Sequence, residues 1–150
     1  MERPVPHQEA VTLLTGALGA RVVEAQLGYG SFVTIDFSGE RRANKPRGYY
    51  LWIYMCYWRL ETTEEVVASC EDPRDVLAGL VPRLNGKTLT AVEVERPSLS
   101  TVFRFEDLVL KTFSISSAES EHYMFFVPGG DVLSSGPGEQ WSLEVHSEHG

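Results

Sequence analysis

The chain is poor in the residues that usually carry chemistry. It has two cysteines and four histidines in 150 residues. Cys56 and Cys70 stand in no Cys-x-x-Cys arrangement, which removes structural zinc and dithiol redox chemistry from the first rank of readings. Cys56 lies inside an apolar run and reads as a buried free thiol, a disulfide being the alternative. His7 is near the start, and His146 and His149 are near the end, where two imidazoles make a poor metal site. His122 follows Glu119 and Glu121 and reads as a surface histidine, with no nucleophile for a general base to serve.

The common catalytic signatures are missing too: no Gly-x-Ser-x-Gly, His-Glu-x-x-His or Walker-type motif occurs. Gly28-Tyr29-Gly30-Ser31 lacks both the third glycine and the following helix of a phosphate-binding loop, and reads as a hairpin turn. The acidic pairs Glu64-Glu65 and Glu71-Asp72 fall at a turn and a helix start, where solubility and the helix dipole account for them. No catalytic residue, metal or cofactor is expected, and the reading leans away from an enzyme.

Long apolar runs are also absent. Nothing approaches the roughly 20 residues that cross a bilayer, and residues 1–7 show no basic region followed by an apolar segment, so no signal peptide is visible. A soluble cytoplasmic protein is expected. Positive charge is short as well: 13 basic residues against 21 acidic ones give a net charge of −8. Such a field repels nucleic acid and anionic membranes and favours a basic partner. Residues 40–48 are the exception, with Arg41, Arg42, Lys45 and Arg47. They read as a solvated loop or, more sharply, as a loop that contacts an anion or a partner. Without interleaved aromatics they do not suggest a nucleic-acid surface.

What the chain does have is an aromatic centre. Residues 49–61 are apolar at odd positions (Leu51, Ile53, Met55, Tyr57) and at even ones (Tyr50, Trp52, Tyr54, Trp58). β-branched and aromatic residues of this kind suit a strand buried on both faces. Tyr50, Trp52, Tyr54 and Trp58 are the candidate binding residues. Ordinary core, a ligand-lined cavity and a partner-binding patch all fit them. Arg59 suits such a patch, or an ion pair with an acid of the 61–65 turn.

Around this centre the pattern runs twice. Residues 7–18 carry helical spacing closed by Gly19, then come a hairpin over 21–37, the central run, and a short strand at 66–69. Asp72-Pro73 starts a second helix, with Asp72 able to cap it, ending at Asn85-Gly86. Strands follow at 88–94, 102–105, 108–115, 122–127 and 132–133, with an edge strand at 141–145. Residues 18–25 parallel 85–92 at an offset of 67, Phe37 parallels Phe105, and 66–70 parallels 132–136. On that alignment the central run answers to two strands, 108–113 and 122–127, separated by an insertion at 114–121. A bend near 55–57 is therefore expected, placing Trp58 off the face shared by Trp52 and Tyr54. The fold class expected is α+β: one domain over 1–150, with repeat halves at about 7–70 and 72–145. Each half is a helix plus an antiparallel meander, related by a pseudo-two-fold, with two helices on mainly antiparallel sheet.

Three segments, 28–37, 51–61 and 128–141, together resemble a family of small uncharacterised bacterial proteins defined by a domain of unknown function. The resemblance spans most of the chain, implies a single domain, and brings no activity or site residue. The functional expectation is an acidic, non-enzymatic binding protein, of immunity or regulatory type, that neutralises or holds a basic protein partner. The alternatives are a small-molecule-binding or lyase-like protein with a cavity under residues 50–58, and a homodimer formed through a sheet edge.

Overall fold

In the computed structural model residues 1–39, 41, 42 and 45–146 are described, with the backbone alone at 41, 42, 45 and 46. In chain order the first half holds β1 (Glu2–Val5), α1 (His7–Thr15), β2 (Glu24–Leu27), β3 (Val33–Asp36), β4 (Arg41–Arg42), β5 (Lys45–Pro46), β6 (Tyr50–Ile53), β7 (Cys56–Glu61) and β8 (Val66–Ser69). The second holds α2 (Arg74–Leu80), a 3-10 turn (Val81–Leu84), β9 (Ala91–Val94), β10 (Thr101–Phe105), β11 (Leu108–Ser114), β12 (Tyr123–Phe126), β13 (Val132–Ser135) and β14 (Trp141–Glu144). This is the α+β class expected, with two helices and two large antiparallel sheets.

The aromatic run breaks at Tyr54 and Met55, and its two parts enter different sheets. β6 lies in a seven-stranded sheet of order β1-β14-β13-β12-β6-β3-β2, and β7 in a five-stranded sheet of order β8-β7-β11-β10-β9. With β1 and β14 set aside, each half thus gives three strands to one sheet and two to the other. Read from β2, one sheet runs β2-β3-β6-β12-β13; read from β9, the other runs β9-β10-β11-β7-β8. The registers repeat as well. Ala25 faces Ile35 as Val92 faces Phe103, Leu51 faces Phe125 as Leu110 faces Leu60, and Met124 faces Ser134 as Arg59 faces Ser69.

The axis relating the halves can be located. Arg21 pairs with Thr88, 67 residues on, in an isolated antiparallel bridge. Around it Gly19 N–H donates to Leu89 O at 2.9 Å and Gly86 N–H donates to Val22 O at 2.8 Å. Leu89 N–H donates to Ala20 O at 2.9 Å, and Val22 N–H donates to Lys87 O at 2.8 Å. Each bond is the image of another under the same offset. Gly19 and Gly86 have φ of +92° and +81°, a left-handed conformation that side chains rarely adopt and that lets each helical segment turn into the crossing. Helix α1 contacts β9, and α2 contacts β2, so each helix lies by the edge strand of the other half.

One apolar core fills the space between the sheets. Leu51, Ile53, Val33, Ile35, Phe125 and Leu133 come from one sheet, and Trp58, Leu60, Phe103, Phe105 and Leu110 from the other. The equivalent residues Phe37 and Phe105 stack on each other across the axis, centroids 6.2 Å apart at 17°.

Several boundaries differ from expectation for local reasons. The second helix stops at Leu80 because Pro82 has no N–H to continue it, and a 3-10 turn follows. Asp72 does not cap that helix: its carboxylate accepts from Ser69 N–H at 2.9 Å, and Pro73 occupies the cap position. β14 is not an edge, since β1 pairs outside it, with Pro4 tolerated because the outer strand needs no further donor. Within the basic segment β4 and β5 pair as a two-stranded ribbon.

The on-axis ring stack gives a stability prediction. Phe105→Ala should cost about 3–5 kcal/mol in urea unfolding, as for a fully buried aromatic. Phe37→Ala should cost less, its ring being nearer the surface. The two together should fall short of additivity by about 0.5–1.5 kcal/mol, the worth of a ring pair. Strict additivity would mean the stack contributes no coupling.

A candidate binding face

Alternation along β6 divides its side chains. Leu51 and Ile53 point into the core and are completely buried, while Tyr50 and Trp52, with Tyr54 just beyond the strand, lie on the outer side of the seven-stranded sheet. Trp52 and Tyr54 are partly exposed. The β3 side contributes Phe32, whose ring lies 4.9 Å from Tyr54 and 6.5 Å from Trp52, with Trp52 and Tyr54 5.2 Å apart. From β12 come Met124 opposite Trp52 and Phe126 opposite Tyr50, the latter pair in edge contact at 5.6 Å.

Two rows of paired residues cross this face from strand to strand. One runs Gln26, Thr34, Trp52, Met124, Ser134, Ser142 and Pro4. The next runs Glu24, Asp36, Tyr50, Phe126, Val132, Glu144 and Glu2. The centre is aromatic and apolar, and carboxylates stand at both margins. Asp36 belongs to the fold, because its carboxylate accepts from Ser38 and Gly39 N–H at 3.0 Å each and closes the turn after β3.

The five-stranded sheet carries the same positions with different chemistry. Lys111 stands where Trp52 stands, Arg59 where Met124 stands, and Glu61 where Phe126 stands. These three form one network. Arg59 pairs with Glu61, Lys111 Nζ is 3.0 Å from Glu61 Oε1, and the Arg59 guanidinium lies 5.0 Å over the Phe113 ring. Burial alone would raise the Glu61 carboxyl, but the Arg59 and Lys111 hydrogen bonds outweigh it and hold it below the usual carboxylate range. Arg104 and Glu93 pair at 2.8 Å farther along. This is an ordinary solvated sheet face.

No protein-family model, curated protein or solved structure matches the chain. The face must therefore be read from its own residues.

Of the residues singled out from sequence, Tyr50, Trp52 and Tyr54 come together. Trp58 does not join them: it points into the core, where its indole N–H donates to Ser31 O at 2.7 Å. Arg59 emerges on the opposite sheet, in the expected ion pair with an acid of its own turn. Arg41 and Arg42 have their backbone in β4, and their side chains lie outside the described residues. Sequence reasoning passed over Phe32, Met124 and Phe126, although the last two alternate along their strand as Trp52 and Tyr50 do. It also placed His122 on the surface, whereas that ring is buried.

An open depression of about 470 Å³ is lined by Pro97, Ser98, Ser114–Ser117, Gly138 and Glu139, and by none of residues 50–58. Among the described residues no group of three or more His, Cys, Asp or Glu is placed to hold a metal. No described helix is long and apolar enough to cross a membrane.

Both thiols are free. Burial pushes the Cys56 thiol up to about 12, with the nearby Cys70 adding to it, and burial also raises Cys70, whose sulfur accepts from Trp58 N–H at 3.4 Å. At pH 8 only about one Cys56 in ten thousand is thiolate, the form that reacts. A disulfide reagent at pH 8 should modify Cys56 only after unfolding in urea, and the partly exposed Cys70 slowly at most. Rapid native-state modification of both would show that the β7–β8 pair opens readily.

Proposed function

We propose that this is a non-enzymatic binding protein, of immunity or regulatory type, that holds a basic protein partner on the outer face of the seven-stranded sheet. The observation that carries the reading is the contrast between equivalent positions. The fold tolerates Lys111, Arg59 and Glu61 on one sheet, so nothing in the fold requires Trp52, Met124 and Phe126 on the other. An aromatic centre with methionine, rimmed by polar groups, has the composition of a protein-binding surface.

Charge selects the kind of partner. Glu24 stands at one margin of the face, and Glu144 and Glu2 at the other. Residues 41–47 concentrate four basic residues, leaving nine basic residues against 21 acidic ones elsewhere in the chain. A partner with an apolar anchor for the Trp52–Met124 row and lysine or arginine for the margins meets both features. Complementary charge of this kind speeds encounter and weakens with salt. A small-molecule site under the aromatic strand has less support, because Trp58 is packed into the core and the depression is lined by other residues.

The test is comparative. Immobilised wild-type protein, Trp52→Ala, and Lys111→Ala on the opposite sheet are exposed to extract of the source cell. The first and third should retain the same basic protein, released as salt rises from about 50 to 500 mM. Trp52→Ala should bind it at least about 30-fold more weakly, the loss of a central anchor. Equal retention by all three proteins, or capture indifferent to salt, would overturn the assignment.

A further inference from the structure

His122 occupies the position in β12's approach that Tyr57 occupies in β7, but the two side chains have opposite fates. Tyr57 is half-exposed, whereas the His122 ring is 1% exposed. Gly136 and Gly138, in the turn over residues 136–140 between β13 and β14, lie against it, and residues 115–121, the insertion after β11, pack on that turn through Ser116 and Ser117.

The cover is held by few bonds. Gly138 N–H reaches Ser116 O at 3.4 Å, Gly136 N–H donates to Gln140 O at 2.8 Å, and Ser116 Oγ accepts from Glu119 N–H at 2.9 Å. The ring lies flat against Gly136, where a Cβ would meet Nε2 at 2.6 Å, so only glycine leaves room for it. Nε2 lies 3.4 Å from Gly138 O, a weak bond for which it must carry the proton. Nδ1 is then an acceptor, and it is buried with no protein partner among the described residues.

From this geometry we infer that residues 115–121 and 136–140 form a pH-operated cover, closed over neutral His122 and opened when the imidazole takes a second proton. A proton on Nδ1 creates a buried cation whose new N–H has no acceptor, and opening the cover returns it to water. The charged residues of the two covering segments are all acidic, Glu119 and Glu121 in one and Glu139 in the other, and Glu121 acts on the ring directly, while Tyr54, just beyond β6, brings an N–H that donates to His122 O at 3.0 Å. Glu121 favours the cation, as does the Gly138 carbonyl, yet burial outweighs both and keeps the ring's affinity for a proton below the ordinary histidine value.

The sign follows. With the closed-state pKa depressed, the closed form is favoured fully above the open-state value of about 6.5 and is lost as pH falls below it, by up to about tenfold per pH unit until the closed-state value is reached. Through the bond from Tyr54 N–H to its carbonyl, His122 borders the aromatic face. Partner release in acid would rest on the proposed function; the opening itself does not.

Amide hydrogen exchange on the intact protein tests it, with rates corrected for the intrinsic pH dependence. Between pH 7.5 and 5, Glu119, Gly136 and Gly138 should lose protection, by up to about 30-fold, while Phe103 and Leu110 keep theirs. In His122→Asn, which cannot titrate, the protection of the cover should not change with pH. A cover protected equally at both pH values, or one that opens only together with the sheets, would overturn the inference, as would a His122 imidazole titrating at the ordinary value in the native protein. The wild-type exchange pattern decides the matter even if the variant folds poorly.

Discussion

The fold depends on one crossing of the chain with itself. At Arg21 and Thr88 two segments that begin as helix exits meet antiparallel and exchange four backbone hydrogen bonds in two symmetric pairs. That contact fixes the two helices relative to each other and sets β2 and β9 on opposite sheets. Because the crossing is antiparallel and the bonded residues are offset equally, it acts as a two-fold axis. Phe37 and Phe105, stacked nearby, extend the axis into the core. The rest follows from completing each sheet with a strand pair of the opposite half, β12 and β13 in one and β7 and β8 in the other.

Such symmetry makes the molecule its own control. Both sheets have the same strand order and register at equivalent positions, so their inner faces meet the same demand and answer it alike, with Leu51 and Leu110, Phe125 and Leu60, Ile35 and Phe103. The outer faces meet no such demand, and there the two have parted. One carries charged side chains that satisfy each other in a network of ion pairs, Arg59 and Lys111 about Glu61. The other keeps an indole, phenol and phenyl rings and a thioether half in water, an arrangement that gains little until a second surface covers it.

Much of this architecture was legible in the chain. The offset of 67 aligned Arg21 with Thr88 as equivalents, though not as the partners they are, and the match of one run to two strands marked the break before Cys56. What local pattern could not show is which sheet each strand joins, because β6 and β7 are both apolar and their destinations depend on partners 48 to 76 residues away. β1 escaped notice since Glu-Arg-Pro-Val has neither alternation nor strand propensity and is ordered by β14 alone. His122 looked exposed because its sequence neighbours are acidic, while the groups that bury it, Gly136 and Gly138, arrive from another loop. The site was half visible: one strand's aromatics could be read from alternation, but the residues beside them required the register.

Strand exchange also governs when the molecule can first exist. β6 finds its neighbour β12 only after Tyr123 has been made, and β7 waits for β11. During synthesis the first half emerges with the most aromatic segment of the chain lacking both partners, and neither half can close a sheet unaided. Contacts so distant in sequence are slow to form, since loop closure precedes any gain from pairing. Until the second half has been made, Tyr50 to Trp58 therefore lacks the β12 and β11 neighbours that complete its two sheets.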